Sequence, residues 1–464
     1  MVTPIISAIA LDLGTTSIKA ALMDQSGNLS HIVIQPAPAI TAHDGCYESN
    51  ALDYADTAWQ VLNTCLLQTD HRPPLGLCSQ RSSFLIWDKT SGQPVTPLIS
   101  WQDNRGKECC DRLQKSGDTI RRLTGLRLTP YYFAPKLSTL LQDNPAWRER
   151  LVTGEWRVGT LDTFLIWRWT NGQHYLTDAS MAARTLLMDI HQQHWSPRLC
   201  RLFDIPLSAL PSIRPSTALK LPLVNGLTLQ ASIGDQSAAL IASVADDPTE
   251  EALVNLGTGG FVIRYVDAAE SIFDGYLHTL VYQDNRGVRS AMEGTLNSIA
   301  AALAPYPVGD CCREDLATNG IFCLAEPSGL GAPYFRAEWG VYFSQSTTHL
   351  TTQQITALLL EAIIFRVSRI LEEFHRQSPI RHVYLSGGLS ELICLQQGIA
   401  QCVPFPVSHA QQKETSLQGA ALLAAGLKIQ HPRQAERIKV EHQNHALSEK
   451  YNHWKVWLDA LLNA

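Results

Sequence analysis

The stretch Asp12-Leu13-Gly14-Thr15-Thr16-Ser17 stands between two apolar runs, one through Ile9 and Leu11, the other through Ile18 and Leu22. That pattern predicts a β-hairpin with polar groups at its tip, and a third strand after Gly27-Asn28. The pattern returns 243 residues later, where Val254-Asn255-Leu256-Gly257-Thr258-Gly259-Gly260 again sets Leu-Gly-Thr between strand-like runs. Two readings are open: a chance echo, or a duplicated domain in which each copy opens with a hairpin. Length agrees with the second, because 464 residues are too many for one core. An irregular stretch marked by Pro206, Pro211 and Pro215 precedes Gly234-Asp235-Gln236-Ser237 and a small-residue helix from Ala238 to Val244. The boundary is expected just after it, around Ala245-Asp246-Asp247-Pro248, giving domains 1–245 and 246–464.

Other elements follow from local chemistry. Residues 124–143 read as a turn and then a helix, and Gly159 to Trp167 as a helix start with Thr160 or Asp162 as N-cap. Thr351 and Gln354 have capping-box spacing before a long helix, whose apolar face runs from Leu358 to Phe374. His382 to Ser386 reads as a strand ending at Gly387-Gly388, with a helix beyond. Ser416 to Ala425 reads as a small-residue helix stopped by Gly426, and the polar tail from Glu436 as a surface helix.

The net charge of −6 invites neither nucleic acid nor an anionic membrane. No apolar run has the length of a membrane span. Eleven irregularly spaced cysteines lack zinc-ligand spacing. With no export signal read at the amino end, free thiols in a reducing cytoplasm are expected.

Asp12 beside Thr15, Thr16 and Ser17 suits a phosphate cradle with a carboxylate for Mg²⁺, or an ordinary turn. The echo at Gly257-Thr258-Gly259 favours the cradle, since two such turns can address one phosphate chain. The turns Ser328-Gly329-Leu330-Gly331 and Ser386-Gly387-Gly388 would let a phosphate or flat ligand approach the backbone. Either alone is as readily a structural turn. Asp235 is the one acid in a small, apolar stretch. It suits the base of a phosphoryl transfer to a hydroxyl, or an N-cap. Ser79-Gln80-Arg81-Ser82-Ser83 is a polar cluster closed in by Leu75, Leu77, Cys78 and by Phe84, Leu85, Ile86, Trp87. Arg81 has no acidic neighbour in that stretch.

Taken in order, these segments resemble the FGGY carbohydrate kinases, most closely the glycerol kinases. The resemblance runs through Asp12 to Ser17, Trp101-Gln102-Asp103-Asn104-Arg105, Gly159 to Trp167, Asp178 to Arg184, Gly234-Asp235-Gln236, Gly329 to Tyr334, Gly387-Gly388 and Gln418 to Ala421. It implies an α/β fold of two actin-like (ribonuclease-H-like) domains flanking a deep nucleotide and substrate cleft, with ATP and Mg²⁺ as cofactors. By the same resemblance Asp12 would lie by the metal, and Thr15, Thr16 and Lys19 would meet the phosphates. Gly257 and Thr258 would cap the transferred group; Gly331, Gly387 and Gly388 would line the nucleotide. Asp235 would be the catalytic base, with Gln236 beside the substrate and Gln80, Arg81, Ser82 and Tyr131 around it.

The chain departs from that pattern where glycerol kinases typically read Gln-Arg-Glu, since it has Gln80-Arg81-Ser82. Losing a carboxylate that accepts from a polyol costs about 1–3 kcal/mol if a buried group is left unpaired. The segment Phe335 to Gly340 is short, and Leu389 to Ile393 lacks the usual Asn pair. The expected substrate is therefore a small polyol or ketose: glycerol, a tetritol or a pentulose. A homodimer is left open. The alternatives are glycerol kinase proper, a catalytically weak sugar- or nucleotide-binding relative, and an actin-like ATPase, which the segments 101–105 and 159–167 disfavour.

Overall fold

The first hairpin forms as the sequence reads it. In a computed structural model describing residues 5–244, 250–267, 274–411, 413–428, 435–440 and 445–463, strands Ile6–Leu13 and Ser17–Asp24 pair antiparallel with Leu13 opposite Ile18. The third strand, Leu29–Pro36, pairs with the second. On its other side Ile6–Leu13 runs parallel to Leu75–Ser79, which runs parallel to Thr228–Gly234; Thr217–Pro222 closes the six-stranded sheet.

Alternation along these strands decides what covers each face. Ile9, Leu11, Leu75 and Leu77 pack with Tyr54, Ala58 and Leu62 of helix Ala51–Leu66. The opposite face carries Ala10 opposite Gly76, and the small-residue helix Thr415–Ala425 lies against it. A Cβ at Gly76 would lie 2.1 Å from the Ala420 carbonyl oxygen, and one at Gly419 would lie 1.9 Å from that of Ala238. Small residues at Gly419, Ala420 and Ala421 thus allow the sheet and two helices to approach at backbone distance. Gly76→Ala is expected to lower stability by about 1–3 kcal/mol, read as a shift of the urea midpoint. An unchanged midpoint would show that the layer spacing is not set at this contact.

The chain divides into two units. The first comprises Met1–Ala242, His278–Ser290 and Glu414–Lys428, and the second Ser243–Leu277, Ala291–Lys413 and Ile429–Ala464. The expected boundary at residues 245–248 lies outside the described residues. The second unit has its own hairpin, Glu251–Leu256 and Gly260–Val266, with Leu256 opposite Gly260. Its first strand runs parallel to His382–Ser386, which runs parallel to Val407–Ala410. Both units therefore contain a Leu-Gly-Thr hairpin whose first strand lies parallel to a strand from a later segment. This two-domain α/β architecture makes the echo an architectural repeat rather than a coincidence.

Helix Thr352–Gln377 begins with the capping box of Thr351 and Gln354 and is buried along most of its length. The tail helix, His445–Asn463, differs from its reading as a surface element. Leu447, Tyr451, Trp454 and Leu458 are buried in the same core as Phe365. Their spacing is one helical face, masked in sequence by the polar residues between them. Among the described residues no helix is long and apolar enough to cross a membrane.

Candidate active site

In the first unit the candidate residues gather where three adjacent parallel strands end. Ser79 is paired with Leu13 on one side and Gly234 on the other. The next residues along the three chains are Gly14, Gln80 and Asp235. Ligands of open α/β sheets are commonly bound beyond such carboxyl ends.

Asp12 is paired in register with Lys19 and Cys78. Its Oδ1 is buried with no hydrogen-bond partner among the described residues. Burial, then the nearby charge of Asp235, push its pKa up to about 7, while the Cys78 thiol and Lys19 pull the other way. The Lys19 ammonium does not stand free for phosphate: its Nζ is 2.7 Å from Glu414 Oε2. Glu414 is the N-cap residue of helix Thr415–Ala425 and was not singled out in the sequence.

The turn after Asp12 is tightly tied. A Cβ at Gly14 would lie 2.6 Å from the Ser17 carbonyl oxygen. The Gly14 carbonyl accepts from the Tyr54 hydroxyl at 2.7 Å. The Thr15 hydroxyl accepts from the Trp101 indole N–H at 2.9 Å and lies 3.4 Å from Gln80 Oε1. Thr16 is exposed at the tip. Trp101 in turn packs against Tyr131, ring centroids 5.4 Å apart. The sequence marked Trp101 only as part of a motif; its contact with Thr15 emerges with the fold.

The cluster Ser79–Ser83 finds its partners within the protein, most of them on other segments. Ser83 donates to Gln80 Oε1 at 2.8 Å and accepts from the Trp101 backbone N–H at 2.9 Å. Gln80 Nε2 lies 3.4 Å from both the Gly14 carbonyl and the Tyr54 hydroxyl. Ser82, expected as a wall of the sugar pocket, is 0% exposed, and its hydroxyl donates to the Arg184 carbonyl at 3.0 Å. Its φ of 66° lies in the left-handed region, at a bend in the chain, and its short side chain reaches a backbone acceptor. Arg81, which has no acid in its own stretch, meets one distant in sequence. Its Nε stands 3.5 Å from Asp235 Oδ1.

Asp235 opens helix Asp235–Ser243 directly after strand Thr228–Gly234. Its Oδ1 accepts from the Gln236 backbone N–H at 2.7 Å. The preceding residue must be small, because a Cβ at Gly234 would lie 2.8 Å from Arg81 Cδ. Gly234 N–H donates to Ser180 Oγ at 2.9 Å. The first unit thus joins Asp12, Thr15, Lys19, Gln80, Arg81, Asp235 and Gln236 in one connected constellation, with Tyr131 attached through Trp101.

In the second unit the same edge carries Gly257-Thr258 and Gly387-Gly388. Asn255 is paired with Ser386, so the two turns leave neighbouring parallel strands together. A Cβ at Gly387, where φ is +89°, would lie 2.5 Å from the Leu256 carbonyl oxygen. Gly388 has open space before it, and Thr258 is exposed. Gly331 is different. It is enclosed, a Cβ there would lie 2.0 Å from the Thr295 carbonyl oxygen, and its N–H donates to Glu326 Oε2 at 2.8 Å. Its small size serves backbone packing, not an open ligand surface.

Comparison with known proteins agrees with this layout. Residues 7–246 match the FGGY family of carbohydrate kinases, N-terminal domain, and residues 252–426 match its C-terminal domain. An apulose kinase of Pectobacterium atrosepticum is 29% identical, the match covering 98% of each chain. A glycerol kinase of Treponema denticola is 30% identical over 93% of this chain and 92% of its own. The crystal structure of Plasmodium falciparum glycerol kinase with ADP shares the fold, with a TM-score of 0.85 at 22% identity over 98% of each chain. Two adjacent family matches, and two units that each carry the same hairpin, place this chain in the FGGY family of carbohydrate kinases.

Proposed function

We propose that the protein transfers the γ-phosphoryl group of ATP to a hydroxyl of a small polyol or ketose, with Asp235 as base. The observation that carries the reading is the pair of carboxylates at the ends of the two strands that flank Leu75–Ser79: Asp12, whose buried Oδ1 has no partner among the described residues, and Asp235 beside Arg81. Phosphoryl transfer depends mostly on positioning and charge neutralisation, and it needs an acceptor for the hydroxyl proton.

The residues present fit Mg²⁺. A hard cation held by one or two carboxylates and by phosphate oxygens would use the free Oδ1 of Asp12, which burial and Asp235 otherwise leave poorly ionised. Once bound, Mg²⁺ neutralises charge on the phosphates. The turn residues Thr15 and Thr16 would hold phosphate oxygens, and Lys19 would exchange its bond to Glu414 for one of them. Arg81 would use its remaining N–H groups on a sugar oxygen while keeping Asp235 oriented, with Gln236 at the same helix start. In the second unit the exposed Thr258 and the open Gly388, with Gly257 and Gly387, suit the nucleotide; Gly331 would support them from beneath. The eleven free thiols suit a reducing cytoplasm.

The substrate class rests on the cluster at 79–83 and on the relatives, one named for glycerol and one for apulose. Ser82 supplies no carboxylate, so polyol recognition falls to Arg81, Asp235 and the Trp101–Tyr131 pair. A coupled ADP-release screen over glycerol, erythritol, erythrulose, ribulose, xylulose and apulose tests this. Turnover of one of these polyols or ketoses is the expected result. No turnover of any, with ATP binding intact, would overturn it in favour of a binding-only relative.

A further inference from the structure

Lys136 lies in helix Phe133–Asp143 and is 0% exposed. A buried ammonium normally has a carboxylate partner. Lys136 makes no ion pair among the described residues. Its Nζ donates instead to two backbone carbonyls, Ser82 at 3.1 Å and Ser100 at 2.9 Å. The Phe84 ring lies 5.8 Å away. The charged groups that act on it are Asp103, which favours the ammonium, and Arg105, which opposes it. Those two are paired with each other, Arg105 Nε to Asp103 Oδ1 at 2.8 Å, and so largely cancel.

The two carbonyls are not arbitrary. Ser82 follows Arg81 directly and sits in the left-handed conformation at a bend in the chain. Ser100 precedes Trp101 directly, whose backbone N–H meets Ser83 and whose indole meets Thr15. One amine therefore fastens the two segments that present Arg81 and Trp101. A methionine of similar size would fill the space without fastening anything. A strained backbone and an uncompensated buried charge are both costly, and such costs cluster where a site must be held rigid.

We propose that Lys136 is a positioning residue of the sugar site: by donating to the Ser82 and Ser100 carbonyls it fixes Arg81 and Trp101 in the arrangement that receives the sugar. The proposal rests on the kinase reading above.

Protonation supplies a test that a purely structural role would not meet. Burial lowers the Lys136 pKa from 10.5 to about 7. Between pH 7 and 10.5 the unfolded chain therefore holds a proton that the folded chain does not. The wild type gains stability relative to Lys136→Met as pH rises through that window. The hold on the carbonyls changes the other way, because a neutral amine is a weaker donor than an ammonium. Sugar binding should weaken over the same range in which stability improves.

Lys136→Met is expected to raise the KM for the sugar on the order of tenfold or more, with the KM for ATP unchanged. That KM ratio should shrink between pH 6 and pH 9 as the wild type loses its ammonium. If the sugar KM does not move, or if both KM values rise together with a loss of stability, the proposal fails. Should Lys136→Met not fold, the wild type alone decides it. Its sugar KM, measured at saturating ATP and Mg²⁺, must rise across that range, and a flat sugar profile overturns the proposal. If the wild type turns over no sugar, the kinase reading has failed separately. Calorimetric sugar binding by the two proteins then takes the place of KM, and equal affinity, or no binding by either, counts against Lys136.

Discussion

Asp235→Asn is expected to lower kcat by about 10²–10⁴-fold, the usual contribution of a positioned general base, while nucleotide affinity is retained. Asparagine keeps the size of the side chain and an oxygen for the Gln236 N–H, which the carboxylate now accepts at 2.7 Å. The helix start should therefore survive. What disappears is the proton acceptor and the charge that stands 3.5 Å from Arg81 Nε. Because Arg81 would also hold the sugar, the KM for the sugar should change as well, and the KM for ATP should not. Single-turnover measurement of ADP formation, with equilibrium titration of nucleotide, separates the two effects. Near-normal turnover would remove Asp235 from the role of base. Loss of nucleotide binding together with turnover would indicate a general disturbance instead.

What the sequence made legible is what short-range chemistry encodes. The hairpin at Asp12, its echo at Gly257 and the capping box at Thr351 each depend on neighbours a few residues away, and each is present. The partners of charged side chains were not legible, because they are set by strand order. Lys19 meets Glu414 across 395 residues, and Arg81 meets an acid just past the end of the strand that neighbours Leu75–Ser79. Ser82 and Gly331 look like ligand contacts in sequence, since serine and glycine suit both open loops and tight interiors. Only burial and φ separate those cases, and both residues are enclosed. Lys136 is the reverse case. A lysine between Pro135 and Leu137 reads as a surface residue of an amphipathic helix, and nothing local indicates that two distant carbonyls converge on it. The tail helix was misread for another reason: its face of Leu447, Tyr451, Trp454 and Leu458 was present in the spacing but diluted by polar neighbours.

Arg366→Met should lower stability by about 3–5 kcal/mol, the usual cost of leaving a buried charge without its partner. Arg366 and Glu326 are each 1% exposed, with Nε and Oε1 2.7 Å apart. Arg366 also donates to the Ala332 carbonyl at 2.6 Å. The second carboxylate oxygen, Glu326 Oε2, accepts from the backbone N–H groups of Asn297 at 2.7 Å and Gly331 at 2.8 Å. The pair therefore shapes the Gly329–Pro333 turn from beneath, joining it to helix Thr352–Gln377. Removing the guanidinium leaves Glu326 either ionised without a counter-charge or protonated, and a protonated carboxyl accepts the two N–H groups less well. Urea denaturation of Arg366→Met, Glu326→Gln and the double variant measures the coupling. The double variant should be less destabilised than the two single losses summed, because it leaves no isolated charge. Strict additivity, or a single loss below about 1 kcal/mol, would show that the two groups act independently. If the turn also supports nucleotide binding, Arg366→Met should raise the KM for ATP while leaving the KM for the sugar unchanged, the converse of the result expected for Lys136→Met.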